Sequence, residues 1–296
     1  MTKIIDKKVI AIVGPTGSGK TAWAKKLSSE FNGKVISVDS RQIYKGMDIG
    51  TAKDKSFPQD LIDIVEPSAN FTLADFQKAA TNLIEQYLLM KNLPFLVGGT
   101  GLYLEAVVYG YIIPELKEES EKVRYELEKL TDAELFHKLQ QIDPDSAERM
   151  DPRNKRRVIR ALEYSILNER PFSKYQKKKK PDFKTLIIGI TVPRETLYAK
   201  VDARVEQMIK EGLIEEVRHL IQKYPKDLPA LNTIGYKEII NYLQNQVDLP
   251  EAKEKIKFNT HAYIRRQETW FRRDKKIKWV KTIDQAEKLI KRFIKK

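Results

Sequence analysis

Eight residues near the start of the chain, Gly14-Pro15-Thr16-Gly17-Ser18-Gly19-Lys20-Thr21, leave little freedom in what can surround them. They match G-x-x-x-x-G-K-[ST], preceded by the β-branched run Val9-Ile10-Ala11-Ile12-Val13 and followed by a helical pattern from Thr21 to Phe31. Glycines let backbone N–H groups turn inward around an anion, and the helix N-terminus adds a partial positive charge. Lys20 supplies a mobile ammonium for phosphate oxygens. Thr21 offers a hydroxyl to a magnesium ion (Mg2+) bridging two phosphates. Gly14 to Thr21 are therefore the expected diphosphate- or nucleotide-binding residues. The motif names no reaction, since ATP-dependent kinases, nucleotide hydrolases and other transferases share it.

The strand-then-helix rhythm continues. Val35-Ile36-Ser37-Val38 reads as a second strand, Phe71 to Lys91 as a helix with Thr72 at its N-cap, and Pro94-Phe95-Leu96-Val97 as a third strand. Such alternation predicts an α/β fold, a P-loop NTPase-like parallel sheet flanked by helices. After about residue 112 the rhythm breaks. Glu115 to Arg170 is charged and helical in period, with one apolar face from Leu127, Leu130, Leu135, Leu139 and Ile142 and another from Val158, Ile159, Ala161, Leu162 and Ile166. Strand character returns at Leu186 to Val192. The expected organisation is a core over 1–112 and 184–296, interrupted by an all-helical insertion over 113–183. Helices are predicted over Glu195–Tyr224, Lys237–Gln244 and Glu251–Arg273, then a short strand Ile277–Val280 and a last basic helix.

Charge adds a partner. The chain carries 55 Lys+Arg against 41 Asp+Glu, a net +14. Residues 151–180 alone contribute +8 and residues 255–296 contribute +11, so the remainder sums to −5. Two basic blocks on a mildly acidic body suit a polyanion, against the blander reading of solvated lysine-rich faces. No run reaches the roughly 18 apolar residues of a membrane helix, and no membrane association is expected. The first eight residues are charged and lead directly into a strand, unlike a signal peptide. There is no cysteine, which excludes thiolate zinc sites and fits a reducing, cytoplasmic setting.

Asp39 directly follows the second strand, in Asp39-Ser40-Arg41-Gln42-Ile43-Tyr44, and Gly98-Gly99-Thr100-Gly101-Leu102-Tyr103 follows the third. Ligands collect at the carboxyl ends of the strands in such sheets, so both segments should face the crevice above Lys20. Asp39 can bind magnesium, accept a proton or cap a helix. The glycines around Thr100 fit a backbone close to a ligand or a tight turn.

These blocks, with Asp48-Ile49-Gly50-Thr51-Ala52-Lys53, Lys155-Arg156-Arg157-Val158-Ile159-Arg160-Ala161-Leu162-Glu163, Gly212 to Arg218, Ile234-Gly235-Tyr236-Lys237-Glu238 and Arg266 to Arg272, resemble in order the signatures of the bacterial tRNA dimethylallyltransferases, the IPP transferase family. The resemblance spans nearly the whole chain. It implies transfer of a dimethylallyl group from dimethylallyl diphosphate to N6 of the adenosine immediately 3′ of the anticodon. It also implies that the helical insertion meets the tRNA anticodon stem-loop. Asp39, Thr100 and Arg218 are then the expected catalytic residues, with Asp39 as base. Asp39, Ser40, Arg41, Gln42, Arg156, Arg157, Val158, Ile159 and Arg160 are the expected tRNA contacts, Mg2+ the cofactor, and a monomer the expected form. A surface pair with Glu215 remains the rival reading for Arg218, and a solvated helix face that for the Arg156 cluster. Arg265, Arg266, Arg272 and Arg273 read as further phosphate contacts or intramolecular partners, and Trp270 as core. Departures from the family pattern stand at Gln59, His261 and Ile264, and without cysteines the zinc-finger extension of the eukaryotic form has no ligands. Rival functions are a small-molecule kinase, a nucleotide-switched RNA-binding protein, and a prenyltransferase acting on free adenosine nucleotides.

Overall fold

A computed structural model describes residues 7–113, 119–175 and 178–295. Glu115 and Lys177, which figured in the sequence reading, lie outside the described residues. Two compact units emerge: residues 1–108 with 181–296, and residues 109–180. The sequence reading put the junctions at 112/113 and 183/184, three to four residues beyond those at 108/109 and 180/181.

The first unit is built on a five-stranded, all-parallel sheet in the order β2-β3-β1-β4-β5. Its strands are β1 (Lys8–Val13), β2 (Gly33–Ser37), β3 (Leu93–Gly98), β4 (Lys184–Ile190) and β5 (Lys278–Val280). Central β1 is almost wholly buried, as its unbroken β-branched run requires of a strand covered on both faces. Its helices are α1 (Lys20–Glu30), α2 (Leu73–Leu89) and α3 (Gly101–Val108), then, after the helical unit, α8 (Arg194–Lys210), α9 (Leu213–Lys223), α10 (Tyr236–Leu243), α11 (Leu249–Arg272) and α12 (Ile283–Lys295). Thr72 caps α2 in a capping box with Asp75, as the sequence suggested.

Two expectations change. Helix α3 went unpredicted because its apolar run Leu102–Val108 follows the glycine turn without helical polar spacing. The single helix expected over 195–224 is two, because Gly212 takes a left-handed φ of 100° that turns the chain between α8 and α9.

The second unit contains α4 (Ser120–Glu128), α5 (Asp132–Ile142), α6 (Pro144–Arg149) and α7 (Lys155–Asn168), followed by a 3₁₀ turn at Phe172–Lys174. Leu127, Leu135, Leu139, Ala147, Met150, Val158, Ile159, Ala161 and Leu162 form its core. Ile142 and Ile166, expected on its apolar faces, are exposed, each at the C-terminal turn of its helix where no neighbour covers it. Asp143 is fully buried, and its carboxylate accepts the Ser146 N–H at 3.1 Å and the Ser173 N–H at 2.7 Å, so each oxygen is satisfied. No helix among the described residues is long and apolar enough to cross a membrane.

Candidate active site

Parallel strands leave their carboxyl ends on one edge, and three loops there make the site. From β1 the chain runs into Gly14–Gly19, which wraps toward the start of α1. Gly17 and Gly19 sit at φ 78° and 87°, a region other residues rarely adopt, and nothing lies within 4 Å of where a Gly19 side chain would project. The loop is thus open over the helix N-terminus, the shape an anion requires. Lys20 lies back along it, its Nζ donating to the Pro15 carbonyl at 2.8 Å. Desolvation brings the Lys20 ammonium down to about 8, with Asp39 opposing and Arg204 adding to the shift. Its ordinary value is 10.5. A cation this destabilised gains from any incoming phosphate.

After β2, Asp39 accepts the Arg41 N–H at 2.8 Å and so holds the turn that directs its own carboxylate. After β3, Gly98 lets the backbones touch: a Cβ there would sit 2.0 Å from the Val38 carbonyl oxygen. Thr100 N–H donates to the Val38 carbonyl at 3.2 Å, and the Thr100 hydroxyl oxygen accepts the Ser40 N–H at 3.1 Å. Thr100 therefore sits beside the Asp39 turn.

A cavity of about 370 Å³ opens between these loops and helices α8 and α11. Thr16 of the phosphate loop, Asp39, Ser40 and Arg41 line one side, and Arg204, Tyr263 and Arg266 the other. Val201, Val205, Met208 and Ile256 supply an apolar stretch. Burial pushes the Tyr263 hydroxyl up to about 12, Asp39 adding to this while Arg41 and a hydrogen bond with Thr100 oppose it. Crowding by protein lowers the Arg204 guanidinium, although part of its surface reaches water, while Glu211 and Asp39 raise it.

One wall is braced from behind. Glu216 accepts the N–H groups of Asp48 at 3.0 Å, Ile49 at 2.8 Å and Gly50 at 3.2 Å, and the Tyr236 hydroxyl at 2.7 Å. The fully buried ammonium of Lys53 pairs with Asp48 and Asp63. The Asp48–Lys53 block thus forms wall structure.

Several expected residues sit elsewhere. Arg218 lies on α9, half exposed and 3.4 Å from Glu215, and is not among the residues that line the cavity. Arg204, which no sequence feature singled out, is among the residues that line it. Leu197, Val201, Val205 and Met208 form the buried stripe of α8, and Arg204, three residues after Val201 and four before Met208, stands at its exposed border. A cation bordering an apolar stripe was the available signal. Gln42 spends its amide internally, accepting from the Ser37 hydroxyl at 3.1 Å and donating to the Thr51 carbonyl at 3.2 Å. Val158 and Ile159, 1% and 5% exposed, are core residues of the helical unit, so their side chains orient α7 instead of facing a partner. Arg156 and Arg157 are exposed on α7, while Arg160 and Arg124 both reach the buried Glu163 at 2.9 Å.

Among the other arginines, Arg265 donates to the Tyr198 hydroxyl at 3.0 Å, Arg266 lies over Tyr263, and Arg273 over Trp270. Trp270 packs on Gly101. At the three departures, His261 bonds Asp202 at 2.8 Å and stacks on Tyr198, Ile264 is buried, and Gln59 donates to the Asp54 carbonyl at 2.6 Å.

A phosphate-loop α/β fold with an acid and several cations around one crevice defines a site for a phosphorylated ligand. The IPP transferase family model matches residues 42–274, and an isopentenyl transferase model matches residues 7–62. The tRNA dimethylallyltransferase of Roseiflexus sp. is 45% identical over 90% of this chain and 90% of its own. That of Anoxybacillus flavithermus is 41% identical over 94% and 91%. The crystal structure of the full-length tRNA isopentenylpyrophosphate transferase from Bacillus halodurans superposes with a TM-score of 0.72, 39% identity, 98% of this chain and 96% of that one. A eukaryotic dimethylallyltransferase acting on tRNA gives 0.78 at 29% identity, over 90% of this chain and 70% of that one. The chain belongs to the IPP transferase family.

Proposed function

We propose that this protein transfers a dimethylallyl group from dimethylallyl diphosphate to N6 of the adenosine immediately 3′ of the anticodon in tRNA. One observation carries the reading: Asp39 and Thr16 of the phosphate loop line one cavity together with Arg204 and an apolar stretch. An exocyclic adenine amine is a weak nucleophile, because its lone pair is delocalised into the ring. In the step, that lone pair forms a bond to the allylic carbon, the carbon–oxygen bond to diphosphate breaks, and its electron pair leaves with the diphosphate. The N6 proton passes to the Asp39 carboxylate, a role typically worth about 10²–10⁴-fold. Lys20, the loop amides and Arg204 stabilise the departing anion, the kind of preorganised electrostatics that dominates many enzymes. Thr100 holds the Asp39 turn through Ser40 and keeps its hydroxyl beside the reacting groups. Val201, Val205, Met208 and Ile256 take the prenyl chain and exclude water from it.

Among the described residues no three acidic or histidine side chains gather as a metal cage. The donors at hand, a hydroxyl at Thr21 and the oxygens of a bound diphosphate, suit Mg2+, which keeps several waters and shares its ligation with phosphates. When bound there it would offset charge on the leaving diphosphate.

Reaching the cavity takes the adenine out of the anticodon stack, at a cost of roughly a few kcal/mol. Arg156, Arg157 and Arg160 on α7, with Ser40 and Arg41 at the cavity, offset that cost through contacts to the RNA. A mononucleotide needs no such helical unit, which disfavours free adenosine nucleotides as substrate.

The test supplies labelled dimethylallyl diphosphate and, separately, γ-labelled ATP to unmodified bulk tRNA. Prenylated adenosine in the tRNA digest is expected. Phosphate transfer, or label in free nucleotide only, removes the reading.

A further inference from the structure

Helix α11 touches both catalytic loops through one side chain. Gln267 is buried, at 5% exposure, and lies in the interior turn of α11 that faces the strand ends. Its Oε1 accepts the N–H of Thr16 in the phosphate loop at 2.8 Å. Its Nε2 donates to the carbonyl of Gly99 at 3.0 Å, one residue before Thr100. An amide has one accepting and one donating end, and only this orientation satisfies both loops. The fit is tight: a Cβ on Gly99 would sit 2.3 Å from the Gln267 Nε2. One turn on, Trp270 closes over Gly101, where a Cβ would meet the indole at 2.2 Å. The Thr16 N–H is thereby withdrawn from the anion and given to the scaffold.

We infer that Gln267 is a positioning residue that sets the register between the loop holding the leaving diphosphate and the Gly99–Thr100 loop that fixes Asp39. The inference rests on the prenyl-transfer reading above. Gln267 touches neither substrate, so each half-site keeps its own ligand-binding groups without it. What changes is the alignment of amine, allylic carbon and leaving oxygen. Reactions of this kind depend steeply on alignment, and a displacement of about 1 Å can cost about 10²-fold. Loss of the clip therefore lowers kcat while leaving the affinity for each partner alone, with kcat taken per folded molecule, because a loss of folded protein lowers apparent turnover in the same way.

Gln267→Met keeps the side-chain length and removes both hydrogen bonds. Its kcat for prenyl transfer to tRNA is expected to fall roughly 10²-fold, with the Kd for inorganic pyrophosphate and the Kd for tRNA each within about three-fold of wild type. In a double-mutant cycle, Gly99→Ala and Gln267→Met should be non-additive, because the new methyl and the amide compete for one space. A kcat within about two-fold of wild type overturns the inference, and so does a loss confined to the pyrophosphate Kd. If Gln267→Met melts below the assay temperature, Gln267→Glu replaces it. That variant keeps the acceptor for Thr16 but turns a carboxylate oxygen on the Gly99 carbonyl and adds a negative charge behind the anion loop, so kcat at saturating diphosphate should again fall with the tRNA Kd held, and an unchanged kcat overturns the inference. Wild-type protein runs alongside: absence of prenyl transfer there strikes the functional reading, whereas a Gln267 variant turning over like wild type strikes this one.

Discussion

The cations of the α/β unit and those of the helical unit are used in opposite ways. Lys20 and Arg204 stand near Asp39 at the strand ends, and desolvation lowers both, although Arg204 still reaches water. Arg156 and Arg157 stand in solvent on α7, above a packed stripe of Val158, Ile159 and Leu162. A charge in a low-dielectric pocket interacts strongly and over short range with whatever charge develops beside it. A charge in water is screened within about 10 Å at 0.1 M salt and contributes through counterion release. The first kind suits bond-making, the second suits holding a long polyanion. The number of arginines in a region is therefore a poor guide to catalysis; the environment of each one decides.

The largest effect is expected at Asp39. Asp39→Ala should lower transfer by about 10²–10⁴-fold and leave tRNA affinity within several-fold, read by turnover and filter binding. A proportional loss of tRNA affinity would merge the two roles that the comparison separates. Next comes the pair Arg204→Ala and Arg218→Ala. Removing Arg204 should cost kcat about 10²–10³-fold, as loss of one preorganised donor does elsewhere, while removing Arg218 should leave turnover within a few-fold. The reverse order would place the catalytic cation on α9 after all. On the helical unit, Arg156→Glu with Arg157→Glu, the two exposed arginines of α7, should weaken tRNA binding and make its salt slope shallower by roughly two, with the chemical step on bound tRNA preserved. An unchanged slope means that these side chains do not meet phosphate.

The smallest effect concerns pH. The Lys20 ammonium titrates at about 8 in the free protein, below its ordinary 10.5, and a bound diphosphate favours its protonated form. Binding near pH 8 should thus take up protons, and affinity should fall as pH rises through 8. Calorimetry in two buffers of different ionisation heat reads the uptake directly. Proton release, or none, would mean that Lys20 is already fully charged in the free loop.

Contiguity decided how much could be read in advance. The phosphate loop, the parallel sheet and the helical segment were legible because their determinants are local: eight consecutive residues, β-branched runs and a 3.6-residue period. Asp39 was legible for a related reason, since a residue directly after a strand of such a sheet must stand at the ligand edge. Gly212 looked like an ordinary residue of one long helix until its left-handed turn separated α8 from α9. Arg204 and Arg218 are both arginines in helical sequence; a signature-like neighbourhood pointed to Arg218, whereas Arg204, which lines the cavity, carried no such mark.

The order of residues by itself determined an anion loop at the end of a buried strand, an acid on the next strand end and a basic helical unit, because each follows from short-range stereochemistry and hydrophobic period. Only the folded chain decided which cation faces the acid and which side chain ties the loops together. Gln267 acquires its role from backbone atoms 251 and 168 residues away in sequence, and no local pattern encodes a hydrogen bond across such a separation.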